Sequence, residues 1–177
     1  MPESKSKPKI DSSAPASHQK EAPKFPSEII DLPSKGLMYP NGHPLSKGTV
    51  EMKYMTAREE DILTSANLIK KGIVIDQLLK SMIISDINYD DLYIGDKNAV
   101  MLSARVLGYG KDYSCDVDCP ECGETEKDCT FDLTSFEYKD IKDDKFYNRE
   151  NQYDFTLPNS ERHVKFRYLT HKDEEAI

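Results

Sequence analysis

The period of the apolar residues changes twice along this chain, and those changes restrict the fold more than any other feature of the sequence. Val50, Met52 and Tyr54 alternate with Glu51 and Lys53, the two-residue repeat of a half-buried strand. Between Thr56 and Gly108 the repeat becomes helical. Thr56 and Glu59 form a capping box, and Ile62, Leu63, Ala66 and Ile69 follow at helical spacing up to Gly72, a natural stop. A second helix is expected on Ile75, Leu78, Leu79, Met82 and Ile83. A third starts with Asp96 as N-cap and carries Val100, Ala104 and Leu107 to Gly108. After Gly110 the alternation returns on Tyr113, Cys115, Val117 and Cys119, and again on Cys129, Phe131 and Leu133. Tyr153, Phe155 and Leu157, then Val164, Phe166 and Tyr168, predict a further hairpin turning at Asn159 and Ser160. The expected fold class is therefore α+β: central helices flanked by antiparallel hairpins, one of them with a zinc-knuckle-like turn.

Three regions follow. Seven of the ten prolines lie in the first forty residues, and before Phe25 there is almost no large apolar side chain. Such a stretch cannot bury enough surface to offset its ordering entropy, so residues 1–27 read as a disordered N-terminal arm. Residues 28–110 read as a strand plus helical subdomain. Residues 111–177 read as a hairpin subdomain with a charged connector at about 137–151. The stretches 32–36 and 39–42 are rich in Pro, Gly and Asn, the chemistry of turns.

There is an internal echo. Residues 50–61 line up without a gap on residues 164–175, each an alternating strand running into a Thr cap with an acid three residues on. A duplicated unit predicts that the second copy continues as a helix, whereas the sequence reaches Ile177 one turn in. Either another chain contributes that helix or this is a shortened version of a longer product, the reading favoured here.

The four cysteines fall between positions 115 and 129, which in a reducing compartment suggests metal ligation before disulfides. Cys119, Pro120, Glu121, Cys122 and Gly123 have the form of a zinc knuckle, whose tight turn brings two thiolates to one tetrahedral ion. Cys115 and Cys129 are the candidates for the remaining ligands, giving Zn as the expected cofactor. The spacing leaves two arrangements open. In a regular strand Cys115 and Cys119 lie roughly 13 Å apart, so either the strand bends or Cys115 is not a ligand. Otherwise the outer pair are small apolar residues of their strand face, or a reduced pair facing one another. His163 and His171 are the alternative ligands.

The charge excludes some partners. The net charge is −8, and because residues 1–24 hold five Lys against three acids, about +2, the remainder is about −10. That repels phosphate backbones, so nucleic acid is not the expected partner. No apolar run approaches the roughly 20 residues of a membrane span, and no secretory signal is seen, which predicts a protein made in a cytoplasm that stays there unless carried out as part of something larger. There is no P-loop, Rossmann glycine pattern, HExxH or GxSxG, and the acids read as caps and turn residues. No catalytic residue is assigned.

The segments at residues 32–36, 54–65, 88–98 and 105–110, followed in the same order by Cys119 to Gly123, resemble the baseplate hub assembly protein family of T4-like bacteriophages. The resemblance covers about residues 28–175. It implies a component or assembly factor of the hub at the tip of a contractile tail, retained in the virion baseplate or acting only during assembly, with other hub proteins as partners and oligomers possible. Family members commonly carry the single Cys-Pro-x-Cys pair and run further, so Cys115 and Cys129 are additions. The competing function is a zinc-ribbon-like nucleic-acid-binding module.

Overall fold

The computed structural model describes residues 25–138 and 148–177. The expected arm, up to residue 24, and residues 139–147 of the connector lie outside them. Among the described residues, five α-helices and three two-stranded antiparallel hairpins make a mixed α/β fold.

The first hairpin pairs β1 (Ser27–Asp31) with β2 (Thr49–Lys53), with Ile30 opposite Val50 and Glu28 opposite Met52. The alternation of Val50 and Met52 places β2 as expected, and both side chains are fully buried. Strand β1 escapes the pattern because Ile29 and Ile30 are adjacent, which is no two-residue period. The connection from β1 to β2 folds back on itself. Lys35 and Gly36 take positive φ, as do Gly42 and Gly48. Two Ser-Lys-Gly turns, 34–36 and 46–48, cross backbone against backbone: a Cβ on Gly48 would lie 2.6 Å from the Lys35 carbonyl carbon, and one on Gly36 would lie 2.6 Å from the Gly48 nitrogen.

The helical middle corrects two expectations. The helix from Thr56 is two helices, α1 (Ala57–Thr64) and α2 (Ala66–Lys71). Ser65 between them is extended, and the Thr64 hydroxyl donates to the Glu60 carbonyl, so side-chain hydroxyls compete with the ladder where the helix breaks. The break turns Ile69 outward, half-exposed. Gly72 ends α2 in the left-handed conformation, as its position predicts. Helix α3 (Val74–Met82) buries Leu78, Leu79 and Met82. Helix α4 (Ile94–Tyr109) begins three residues earlier than expected, with Tyr93 as N-cap. Asp96 caps nothing on its own helix. Its buried carboxylate instead accepts from the Ser34 amide at 3.0 Å, the Ser34 hydroxyl at 2.7 Å and the Tyr39 hydroxyl at 2.7 Å, fixing the first turn to the helix. Burial and the Asp96 charge together push the Tyr39 hydroxyl far above the usual tyrosine range. Val50, Met52, Leu79, Met82, Leu92 and Val100 form the centre of the core between the first hairpin and these helices.

The second hairpin, β3 (Asp112–Asp118) and β4 (Thr125–Asp132), follows α4 directly. The third, β5 (Tyr153–Thr156) and β6 (His163–Phe166), leads into α5 (His171–Glu175).

The internal echo is present in three dimensions. Both β2 and β6 are second strands of hairpins that run into a capped helix, Thr56 with Glu59 and Thr170 with Asp173. The match extends to a pair of ions. Lys53 meets Glu59 at 2.7 Å, and the equivalent Arg167 meets Asp173 at 2.6 Å.

Candidate docking surfaces and the thiol hairpin

The buried titratable groups are consumed by the fold itself. Burial works to raise the Glu59 carboxyl, but hydrogen bonds from Lys53, Ser81 and Thr56 outweigh it and bring it down to about 2. Asp96 is committed to Ser34 and Tyr39, as above. Asp76, His171 and Glu175 are the one trio of potential metal ligands, among the described residues, with donor atoms within 4.8 Å of one another. The geometry there favours an ion network over a metal. The Lys97 ammonium lies 3.0 Å from His171 Nδ1, and since an ammonium only donates, Nδ1 accepts and Nε2 carries the proton. That Nε2 is buried without a hydrogen bond, 3.6 Å from Asp76 and 3.5 Å from Glu175. A cation on Nε2 would force its proton onto Nδ1, facing Lys97. Lys97 also meets Asp76 at 3.2 Å and Glu174 at 2.9 Å, so the network ties α5 to α3 and α4.

The cysteines lie elsewhere, in two pairs. Cys115 and Cys129 stand directly opposite on β3 and β4. The Leu133 amide donates to the Lys111 carbonyl at 2.9 Å, which places the hydrogen-bonded positions of the ladder at 113/131 and 115/129. Ser114 and Thr130, in the closer non-bonded position, touch through their hydroxyls at 2.9 Å. A bulge follows: two steps from Cys115 to Val117 oppose three from Cys129 to Glu126. The extra residue is on β4, where Asp128 takes positive φ and its amide donates to Asp116 at 3.0 Å. Burial and nearby acids raise the Cys129 thiol.

Cys119 and Cys122 sit at the hairpin tip. Gly123, at positive φ, donates its amide to the Cys119 carbonyl at 2.9 Å, and the Cys119 amide donates to the Glu124 carbonyl at 2.9 Å. The amides of Cys122 and Glu121 point at the Cys119 sulfur and lower its pKa, helped by the Cys122 side chain. His163 belongs to another hairpin, where its ring meets Thr156 at 2.9 Å, and His171 is in the network above. Neither histidine forms a donor cluster with the cysteines among the described residues.

Several large apolar side chains remain open on the surface. On the second hairpin Tyr113, Val117 and Phe131 share one face and are each about two-fifths exposed. On the third, Phe155 is 51% and Phe166 44% exposed, whereas Val50 and Met52, which the echo aligns with Val164 and Phe166, are 0% exposed. The first copy of the repeat is covered by helices, whereas the hairpin of the second is covered at Tyr153, 7% exposed, and open at Phe155 and Phe166. A groove of about 300 Å³ runs between β1, α4 and residues 133–138, lined by Ile29, Leu102, Val106 and Phe136. Sequence pattern found the strands that carry these faces but not their exposure, since alternation predicts a buried face without saying what buries it.

No helix among the described residues is long and apolar enough to cross a membrane. Residues 29–177 match a protein-family model described as T4 bacteriophage base plate protein. No curated protein and no solved structure matches the chain.

Proposed function

The chain belongs to the T4 bacteriophage base plate protein family, and on that premise we propose that it is a non-enzymatic hub component or hub assembly factor acting through contacts with other baseplate proteins. The observation that carries the reading is the exposure of Phe155 and Phe166 on the third hairpin. A two-stranded hairpin is marginal in water unless its apolar face is packed, and in the first hairpin of the same repeat Val50 and Met52 are fully buried. Phe155 and Phe166 therefore have the composition of an interior and the exposure of a surface. Contiguous apolar patches of that kind mark protein interfaces. The Tyr113, Val117 and Phe131 face of the second hairpin repeats the arrangement. The commitment of Glu59, Asp96 and His171 to hydrogen bonds and ion pairs also supports a role without catalysis.

The test is co-expression with other baseplate proteins, followed by mass analysis of the complexes. Wild type should co-purify with at least one of them, and Phe155→Asp should lose that partner while keeping the native circular dichroism. Unchanged complexes with both Phe155→Asp and Phe131→Asp would refute the reading. So would tight binding of the purified chain to DNA or RNA at low salt, which would favour a zinc-ribbon-like nucleic-acid module instead.

A further inference from the structure

We propose that the turn at Cys119 to Gly123 is half of a zinc site, completed by the same turn of a second copy, so that one Zn²⁺ joins two hairpin tips. The ligands are Cys119 and Cys122 of each chain.

The turn is built for a metal-bound sulfur. Its backbone is closed by the two 2.9 Å hydrogen bonds between Cys119 and residues 123 and 124. Metal binds the thiolate, and this closed turn holds Cys119 and Cys122, three positions apart, at one hairpin tip. A structural zinc takes four ligands, thiolates or imidazoles, in a closed tetrahedron. The turn supplies two.

The chain does not bring the other two there. Cys115 lies in the same strand, four residues below Cys119, roughly 13 Å along it at 3.3 Å per residue. The bulge that could shorten that path is on β4 and leaves β3 extended through Asp118. Thiolates on one zinc, at about 2.3 Å from the ion, need Cα atoms about half that far apart. Among the described residues no cysteine belongs to a group of three or more metal-ligating side chains. The missing pair must come from outside. A second copy brings an identical pair, and a two-fold axis through the ion makes the contact self-complementary.

The surroundings make the association metal-dependent. Asp118, Glu121 and Glu124 crowd the tip. Two such tips repel each other, so the copies stay apart unless metal–sulfur bonds hold them together. Each thiol gives its proton to solvent as it binds. A closed four-thiolate site leaves no position for substrate, so the ion is a staple between chains.

The experiment uses the full chain, reduced and metal-free, titrated with Zn²⁺ and with Co²⁺ as the optical probe, alongside sedimentation equilibrium. Binding should saturate at one ion per two chains with thiolate-to-cobalt absorption, and mass should double with metal and return to monomer with chelator. Cys119→Ser or Cys122→Ser should abolish both, while the double variant Cys115→Ser/Cys129→Ser keeps both. One ion per monomer that requires Cys115 and Cys129 would overturn the proposal. A dimer that survives chelation, or the absence of any thiolate–metal band, would overturn it as well.

Discussion

Replacing Gly48 with alanine tests the crossing of the two Ser-Lys-Gly turns, on which the placement of the first turn against α4 depends. Gly48 has φ +73°, and its added Cβ would stand 2.6 Å from the Lys35 carbonyl carbon and 2.7 Å from its oxygen. Two costs follow. Holding an L-residue in the left-handed region costs about 1–2 kcal/mol. The contact is with backbone, which cannot rotate away, so the crossing itself must open, an overpacking cost of roughly 1–3 kcal/mol. The total is about 2–5 kcal/mol. Gly42 isolates the first contribution: its φ is +84° but nothing lies within 4 Å of an added Cβ. Gly42→Ala should therefore cost only about 1–2 kcal/mol. Urea unfolding of the two variants and wild type measures the difference. At roughly 3 °C per kcal/mol for a domain of this size, Gly48→Ala should melt several degrees below Gly42→Ala. Equal destabilisation by the two substitutions would refute the argument, because conformational cost alone would then explain both.

Further outcomes follow from the same structure. Asp96→Ala leaves the Ser34 hydroxyl and the Tyr39 hydroxyl without their acceptor and should cost about 1–3 kcal/mol in urea unfolding, with Tyr39 fluorescence changed. The Glu59 carboxyl, held down to about 2, contributes stability that is fully present above its ordinary value of 4.5 and is lost as pH falls toward 2. Unfolding measured between pH 7 and pH 2 should show that acid-side loss in wild type and a smaller one in Glu59→Gln. Arg167→Met should destabilise less than Lys53→Met, since the equivalent pair Arg167 and Asp173 is more exposed than Lys53 and Glu59; thermal melts of the two variants compare them.

Sequence by itself determined the elements with a repeating period or a cap. The alternation of Val50 and Met52, the Thr56 and Thr170 capping boxes, the glycine stop at Gly72 and the apolar stripe of α3 are all local signals, set by geometry within a few residues. The gapless echo between residues 50–61 and 164–175 was also legible, down to acids that cap both helices. Tertiary structure alone decided the rest, because it depends on partners distant in the chain. Asp96 looks like a cap and is instead an acceptor for residues 57 and 62 positions away. Lys53 and Arg167 occupy equivalent places without any local rule that pairs them with Glu59 and Asp173. Two hairpins with the same alternating pattern differ in fate, since helices α3 and α4 lie over the first, whereas the third buries Tyr153 and leaves Phe155 and Phe166 open. A two-residue period states that one face is apolar; only the packing of other elements says whether that face is core or surface.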